Sequence, residues 1–315
     1  MPTEPAPLVS AVIPAYNAEP FVREAIESVL GQTHPRVECV VVDDGSTDAT
    51  ADVALGFGDR VRTLRQRNRG VSAARNAGAR EARGSLLAFL DADDRWSPDL
   101  VVRALDTLAT TGADAAVSVG QLIAVDGTPV GSWQPVAEPT LELMLRFGGR
   151  LPAVASSLLI RREAYDAIGP FDERLRMSAD WELLARILAS PFRLAVMNEP
   201  LVDLRVHDRN MSKDLGLLEG DIVRAFEIIF SREGDRLQRL RRPAYGSLHR
   251  MLSGSFAHNG RPGRAVFHAI RAVRRDPLSL ARIVRSAVRW RRHGRERSGP
   301  RSVRFASGAG PIDQP

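Results

Sequence analysis

The sequence has few of the residues that would crosslink the chain or place it inside a membrane. Cys39 is its single cysteine, which excludes an internal disulfide, and the apolar run of residues 37–42 around it indicates a buried, unreactive thiol. No stretch reaches the roughly 18 consecutive apolar residues of a membrane span, and residues 1–7 lack the charged and apolar parts of a signal peptide. We therefore expect a cytoplasmic protein.

Lysine is nearly missing as well, since Lys213 is the only lysine among 44 basic residues. The net charge of +6 is therefore carried by arginine, which is concentrated in residues 239–301. Such a charge can attract nucleic acid, with binding that weakens strongly as salt rises. A nucleic-acid-binding protein stays the alternative from another class, but it gives no role to the aspartates that follow the predicted strands. We expect no nucleic-acid partner.

Strands and helices alternate through the first part of the chain. Apolar runs predict strands at residues 9–13, 37–42 and 85–90, and residues 60–64 are a further strand candidate. Helical spacing predicts helices at 21–30, 49–55 and 71–82. This order predicts an α/β fold with a mostly parallel sheet flanked by helices, whose ligands gather at the carboxyl ends of the strands. Residues 14–17, 43–46 and 91–94 all fall at such ends.

The rest of the chain is less regular. It predicts a helix through Leu108, a strand at 115–119, a turn at Asp126-Gly127, helices at 162–168 and 181–188, and two strands within 191–205. From about residue 215 helical patterns dominate, with breaks at 242–243, 260–263 and Pro277. We expect one domain over residues 1–214, a helical region over 215–298 and a disordered tail over 299–315.

Three aspartates follow the fourth predicted strand in the segment Asp91-Ala92-Asp93-Asp94. Carboxylates spaced one residue apart can bind a hard divalent cation, which in turn neutralises a diphosphate. The alternative is an acidic turn in which Asp94 or Ser97 caps the next helix. The segment alone does not decide between these interpretations.

The ends of the first two strands carry candidates for binding a base. Asp44 could accept the N3 hydrogen of a uracil ring, or residues 43–47 could be a turn capped by Ser46 or Thr47. In residues 14–17, Tyr16 could stack on a base, or the segment could only turn the chain.

Residues 68–78 begin a helix that is rich in small residues. Arg69 and Arg75 of this helix could meet phosphates or base edges. Alternatively, the small residues could only pack against the sheet.

Taken in order, the segments AVIPAYN (11–17), VVDDGS (41–46), NRGVSAARNAG (68–78) and FLDADD (89–94) resemble glycosyltransferase family 2. The resemblance covers about residues 8–215 and implies the GT-A type nucleotide-diphospho-sugar transferase fold. It implies a nucleotide-binding half at 8–95, an acceptor half at 96–214 and a C-terminal helical extension. It also implies transfer of a sugar from a nucleotide sugar, with UDP the expected nucleotide, to an acceptor hydroxyl with inversion, with Mg²⁺ or Mn²⁺ as the cofactor. The acceptor stays open between an envelope or exported polysaccharide, a glycolipid and a small molecule.

The resemblance assigns roles to individual residues of the donor site. Asp44 and Arg69 correspond to nucleobase contacts, with Tyr16 stacking nearby. Asp91 corresponds to a ribose or metal partner, and Asp93 to the metal ligand. The full set of substrate contacts implied by the resemblance is Pro14, Ala15, Tyr16, Asn17, Asp44, Arg69, Asn76, Asp91, Trp181, Glu182 and Arg205.

On the acceptor side, the segments IGPFDE (168–173) and ADWEL (179–183), followed by Arg186, resemble the family's acceptor loop and helix start. The family's acidic pair supplies the catalytic base, and here Ala179 replaces the first acid, which leaves Asp180 as the base. A carboxylate near the incoming hydroxyl can take its proton as the new bond forms. Glu182 is the alternative base. Asp180 could instead have only a structural role, as a carboxylate that the helix dipole favours at the start of a helix.

The segment LRVHDRNMS (204–212) resembles the family's Arg-x-His segment. By resemblance, His207 ligates the metal or donates to the diphosphate, and Arg205 adds charge stabilisation there. The alternative for His207 is an ordinary polar residue after a strand.

Two further alternatives concern the whole chain. A basic amphipathic helix over residues 280–292 could rest on the inner face of a membrane or pack its apolar side on the protein. A sugar nucleotidyltransferase would share the architecture, but it would have a glycine-rich basic loop after the first strand, which residues 14–19 do not provide. The sequence therefore favours a metal-dependent glycosyltransferase.

Overall fold

The computed structural model describes residues 6–133, 138–148, 155–208, 210, 214–283 and 285. The chain divides into two compact units. The first unit comprises Met1–Glu138 and Pro152–His207, and the second comprises Pro139–Leu151 and Asp208–Pro315, within the described ranges. The predicted disordered tail at 299–315 lies outside the described residues, as does most of the predicted helix at 280–292.

Four parallel strands form the first half of the sheet in the order β3-β2-β1-β4. The strands are β1 (Val9–Ala15), β2 (Val37–Asp43), β3 (Val61–Arg65) and β4 (Leu86–Phe89), and the helices between them are α1 (Val22–Leu30), α2 (Thr50–Leu55) and α3 (Val71–Glu81). Strands β1 and β4 are buried along their whole length, as expected of strands covered on both faces. The predicted α/β fold is confirmed.

Small residues bring α3 close to the sheet. A Cβ atom placed on Gly78 would collide with the side chain of Val12 in β1, and Ala74 packs with Val40 and Val42 of β2. The packing interpretation of the small residues is therefore confirmed for this part of α3. The close approach fixes the position of the helix's first turns, which carry polar side chains.

The second half of the sheet is mixed. It adds antiparallel β8 beside β4, then β6, β9 and β5, with β7 paired to β6. The elements are β5 (Arg95–Trp96), α4 (Leu100–Thr111), β6 (Ala115–Ile123), β7 (Pro129–Trp133), β8 (Leu159–Arg161), α6 (Arg162–Ile168), α7 (Ala179–Ala189) and β9 (Leu194–Arg205), while α5 (Leu141–Leu145) belongs to the second unit.

One prediction in this half is wrong. Residues 191–205 do not form two strands but the single twelve-residue strand β9, which runs parallel to β6. The register of β9 against β6 shifts around Val119, where Pro200 is the paired residue. A bulge at this point accommodates a proline that cannot donate to the ladder, so the strand continues. The predicted turn at Asp126-Gly127 is confirmed, with φ of 84° at Gly127.

The second unit is helical. It contains α5, α8 (Leu215–Arg232), α9 (Gln238–His258) and α10 (Pro262–Arg275) around a cluster of aromatic rings: Phe147, Phe226, Phe230 and Tyr245. The predicted breaks at 260–263 and Pro277 are confirmed, but the one at 242–243 is wrong, because α9 continues through Pro243. That proline lies near the start of α9, where it removes only a bond to the first turn. None of the described helices is both long and apolar enough to cross a bilayer.

Candidate functional site

The loops after β1 and β2 are tied together at the carboxyl edge of the sheet. Asn17 has a φ of 48°, and its side-chain oxygen accepts a hydrogen bond from the Thr47 amide at 2.9 Å. The Asn17 amide in turn donates to the Ser46 hydroxyl at 3.0 Å. Between these contacts Tyr16 remains 52% exposed, so its ring is available to a flat ligand. Asn17 itself holds the loop that presents Tyr16.

Pro14 and Ala15 end β1 just below this loop. Pro14 pairs with Val42 of β2, whereas the pairing of β1 with β4 stops at Val12. The missing amide hydrogen of Pro14 therefore leaves no ladder bond unmade. The Ala15 carbonyl accepts from the Asp44 amide at 2.8 Å, which brings the two strand ends together.

Asp44 organises the approach to α3. It is 3% exposed, and its carboxylate accepts hydrogen bonds from the Gln66 side chain at 2.7 Å and from the amides of Arg69 and Gly70 at 2.9 and 2.7 Å. A carboxylate has about four acceptor positions, so one remains for a ligand. The Arg69 guanidinium is exposed and contacts Glu173 at 2.8 Å.

Arg75 lies at the centre of the site. Its guanidinium donates to Asp91 at 2.6 Å and packs over the Phe171 ring at 5.2 Å, with the side chain only 6% exposed. Its Nε atom is buried without a hydrogen-bond partner. The Asp91 carboxylate is 34% exposed, so it faces both the buried cation and the opening of the site.

Asp180 lies in the first turn of α7 beside this pair. Its carboxylate accepts a hydrogen bond from the Trp181 amide at 2.8 Å. Burial raises the pKa of Asp180 to about 6, and the negative charge of Asp91 adds to the rise while the positive charge of Arg75 opposes it. A carboxyl group with this pKa is ionised near neutral pH and is still basic enough to accept a proton. Asp91, Arg75 and Asp180 therefore form one electrostatic unit.

Asp93 and His207 meet at the same edge. The Asp93 carboxylate contacts the His207 Nε2 atom at 2.8 Å, and the imidazole stacks on Phe21 with ring centroids 5.0 Å apart. The structure thus brings together two residues that are far apart in the sequence and that the resemblance assigns to a metal. Among the described residues, however, no three His, Cys, Asp or Glu side chains already form a preassembled cation cluster.

Asp94 takes no part in helix capping, contrary to one of the alternatives. Its two oxygens accept from the Ser156 hydroxyl at 2.6 Å and from the Arg205 amide at 2.8 Å. Burial raises the pKa of Asp94 well above its usual range, and the charges of Asp93 and Asp91 raise it further. The Ser156 hydroxyl also accepts a hydrogen bond from the Asp91 amide at 3.1 Å, so one buried hydroxyl contacts both ends of the acidic segment 91–94.

Arg205 is built into the protein on all sides. Its guanidinium donates to the carbonyls of Asp93 and Val125 at 3.0 and 2.6 Å and to the Glu24 carboxylate at 2.7 Å, and it packs over Phe21. The side chain is 1% exposed. Arg205 therefore connects α1, the acidic turn and the β6–β7 turn. The diphosphate contact assigned to it stays a prediction.

Two of the predicted substrate contacts, Asn76 and Glu182, support the loop at 168–173. Asn76 binds both the amide and the carbonyl of Phe171 at 2.9 Å. Glu182 is fully buried against Arg186 at 2.8 Å, and Arg186 donates to the carbonyls of residues 168–170. Trp181 is 6% exposed. Asn76 and the Glu182–Arg186 pair therefore hold the loop, and Glu182 is not exposed to receive a proton from an acceptor.

Sequence reasoning did not single out Ser156, Glu24 or Phe21. Ser156 lies in an apolar run, where a serine gives no motif signal, and Glu24 and Phe21 look like ordinary positions of an amphipathic helix. Only the three-dimensional contacts reveal their role around Asp94, Arg205 and His207.

The chain is similar in sequence to known glycosyltransferases. The family model for glycosyl transferase family 2 matches residues 10–169. A Bacillus subtilis protein named for teichuronic acid biosynthesis, TuaG, is 30% identical over 216 residues, which cover 66% of this chain and 82% of that protein. The succinoglycan biosynthesis protein ExoO of Rhizobium meliloti is 34% identical over 243 residues, which cover 72% and 68%. An uncharacterized glycosyltransferase of Rickettsia felis is longer, and the 32% identical region spans 36% of it.

Solved structures share the fold. The mannosyltransferase PcManGT from Pyrobaculum calidifontis, in complex with GDP-Man and Mn²⁺, superposes with a TM-score of 0.61 at 19% identity, covering 92% of this chain and 84% of that one. Staphylococcus aureus TarS, in complex with UDP-GlcNAc, gives a TM-score of 0.57 at 17% identity, covering 86% and 92%. Together with the match to the family model, these relationships show that the chain belongs to glycosyltransferase family 2 and has its GT-A type fold.

Proposed function

We propose that the chain transfers a sugar from a nucleotide-diphospho-sugar to an acceptor hydroxyl with inversion, and that Asp180 is the catalytic base. The observation that carries the proposal is the position of Asp180 beside the Arg75–Asp91 pair, with its pKa raised to about 6. A base with this pKa is suited to take a proton near neutral pH.

The donor is a UDP-sugar in this proposal. The exposed ring of Tyr16 provides a stacking surface, and the Asp44 carboxylate keeps an acceptor position for the N3 hydrogen of uracil. The solved structure of TarS contains UDP-GlcNAc, whereas that of PcManGT contains GDP-Man, so the shared fold accommodates either nucleotide. The acceptor-only chemistry of Asp44 favours a base with a ring N–H donor, as uracil and guanine have, over cytosine or adenine.

A divalent cation, Mn²⁺ or Mg²⁺, would be held by Asp93 and His207, with Asp91 on the same turn. The carboxylates fit, because carboxylate oxygens suit both ions, and the Asp93 carboxylate already meets the His207 Nε2 atom at 2.8 Å. When bound, such an ion supplies positive charge against the diphosphate. PcManGT was solved with Mn²⁺.

In the reaction, the acceptor oxygen forms a bond to the anomeric carbon of the sugar while the bond to the nucleoside diphosphate breaks. The electron pair leaves with the diphosphate, and the proton of the acceptor hydroxyl passes to Asp180. Because displacement takes place in a single step from the face opposite the diphosphate, the configuration inverts. Arg75 holds Asp91 in place and keeps positive charge near Asp180.

The acceptor in this proposal is a growing polysaccharide or glycolipid of the cell envelope. TuaG and ExoO are named for the synthesis of teichuronic acid and succinoglycan, and both are similar to this chain over more than two thirds of their length. Peripheral association with the inner face of the membrane, where a glycolipid acceptor would lie, belongs to the same proposal.

The test is a screen of nucleotide sugars with Mn²⁺, followed by the variant Asp180→Asn. The correct donor raises the melting temperature, because it binds only the folded protein. Asp180→Asn should lower kcat by about 10²- to 10⁴-fold while donor stabilisation is retained, as expected for loss of a general base. Full activity of a folded Asp180→Asn variant would exclude Asp180 as the base.

A further inference from the structure

Exposed apolar side chains of the described residues are concentrated in one short part of the chain. Nine large apolar residues are exposed, and five of them lie between residues 266 and 280. These five are Val266, Phe267, Ile270, Leu278 and Leu280, with exposed fractions of 57%, 40%, 50%, 69% and 56%. We call them, together with the arginines of the same segment, the α10 patch. Single exposed apolar residues are ordinary, whereas a contiguous group marks an interaction surface.

The periodicity of α10 places its three exposed apolar residues on one side of the helix. The helix packs within its unit through Ala265, His268 and Ala272, which are buried. Val266, Phe267 and Ile270, at positions i, i+1 and i+4, face away from that contact. About half of each of these apolar side chains is therefore left exposed to solvent. Leu278 and Leu280 are also exposed, just beyond the end of α10.

The charge of residues 261–283 is mostly positive, and Glu219 of α8 pairs with Arg264 of this segment at 2.9 Å. Residues 261–283 contain six arginines and one acidic residue, Asp276, which contacts Arg282 at 3.5 Å. Arg271 lies over the Phe267 ring at 4.4 Å, and neither Arg271 nor Arg274 forms an ion pair within the described part of the chain. Both arginines lie on the same face as Phe267, at i+4 and i+7. Their guanidinium groups are available to anions.

We propose that the α10 patch binds the surface of an anionic lipid bilayer. Apolar side chains inserted at the boundary of headgroups and acyl chains, with arginines meeting the phosphates, are the two contributions that hold an interfacial helix. A symmetric contact with a second copy of the chain would bring two arginine-rich surfaces together, which like-charge repulsion opposes. This inference rests on the membrane part of the proposed function and extends it, because the patch adds exposed residues of α10 to the start of the predicted helix at 280–292.

The experiment is flotation of the full chain with vesicles of phosphatidylglycerol and phosphatidylcholine, compared with phosphatidylcholine alone. No donor or acceptor is present, so lipid binding is measured separately from sugar transfer. Wild type should bind the anionic vesicles, and binding should fall as salt increases. Asp180→Asn should bind as wild type does, which separates failure of this proposal from failure of the proposed reaction.

Two variants remove the two contributions. Phe267→Ser/Ile270→Ser should weaken binding by about tenfold or more, and Arg271→Gln/Arg274→Gln by about fivefold for each arginine. The matched control is Leu55→Ser/Val130→Ser, which replaces residues that are 61% and 58% exposed in the other unit and should leave binding unchanged. If the first variant loses secondary structure, Leu278→Ser/Leu280→Ser tests the exposed apolar residues that follow α10.

Three results would overturn the proposal. The first is that folded variants with serine in place of the apolar residues float with anionic vesicles as well as wild type does. The second is that wild type binds neutral and anionic vesicles equally. The third is sedimentation that shows a dimer of wild type, dissociated by Phe267→Ser/Ile270→Ser, without vesicle binding. In that last case the patch is a contact between copies of the chain.

Discussion

Arg75 and Asp91 form a 2.6 Å ion pair that connects α3 to the start of the acidic segment 91–94, just after β4. The pair is asymmetric, because the arginine is buried while a third of the aspartate is exposed. Asp180 experiences both charges, and they act on its pKa in opposite directions. The protonation of the proposed base can therefore be changed by substitution of residues other than the base itself.

The first prediction concerns Arg75→Gln. Loss of the positive charge should raise the pKa of Asp180 above its value of about 6, so the acid limb of the pH–rate profile should move to higher pH. Activity at pH 6 should then fall more than activity at pH 8. Arg75→Lys keeps the charge and is the matched control. A profile that scales down uniformly without moving would mean that Arg75 acts only on structure.

The second prediction is the pH dependence of the wild-type enzyme. A base must be ionised to accept a proton, so kcat/KM should rise tenfold per pH unit below about 6 and level off above it. Asp91→Asn removes a negative charge that raises the pKa of Asp180, so its acid limb should move to lower pH. An activity that is independent of pH between 5 and 8 would contradict the assignment of Asp180.

The third prediction concerns the metal. Asp93→Asn and His207→Gln each remove one of two atoms that meet at 2.8 Å, so each should raise the Mn²⁺ concentration for half-maximal activity by about tenfold or more. Asp106→Asn, on the exposed side of α4, is the control and should behave as wild type. The measurement is a manganese titration of activity and of the thermal shift with UDP. Unchanged titrations for both site variants would exclude these ligands.

The fourth prediction separates structural from catalytic carboxylates. Glu182→Gln leaves the buried Arg186 without its charge partner and should lower the free energy of unfolding by about 3 kcal/mol, without moving the acid limb of the pH profile. Glu142→Gln breaks an i,i+4 pair with Arg146 that is largely exposed and should cost less than about 1 kcal/mol. Urea unfolding provides the comparison. A shifted acid limb in Glu182→Gln would instead favour Glu182 as the base.

Local patterns predicted the first half of the fold well. The apolar runs placed β1, β2 and β4 within about two residues of their observed ends, because buried parallel strands read as continuous apolar segments. The strand candidate at 60–64 placed β3 equally closely, although β3 is only partly buried. The pattern at residues 191–205 was misread as two strands, because a proline ordinarily ends a strand and the bulge that retains it depends on β6. The inclusion of α5 in the second unit had no local signal either, since it depends on contacts such as that of Phe147 with Phe226.

The site shows the same division. The strand-end positions of Asp44, Asp91 and Asp93 follow from the order of strands and helices, and the resemblance to the family named Asp180 and His207. Neither the order of the elements nor the resemblance predicts which groups each side chain contacts. Asn76 and Arg205 carry polar groups that suit a ligand, yet the described contacts of their side chains are with the backbone and with other side chains. Such contacts join residues that are distant in the sequence, so they appear only in the fold.

The burial of Cys39 has a practical consequence. Burial raises the pKa of this thiol to about 12, and the neighbouring Glu38 adds to the rise, so almost no thiolate is present near neutral pH. Maleimide reagents that attack thiolates should therefore leave the native chain unlabelled. A cysteine introduced at an exposed position such as Val130 or Phe267 would carry the only fluorophore or spin label, and its signal would report the movement of that one position when donor or vesicles are added.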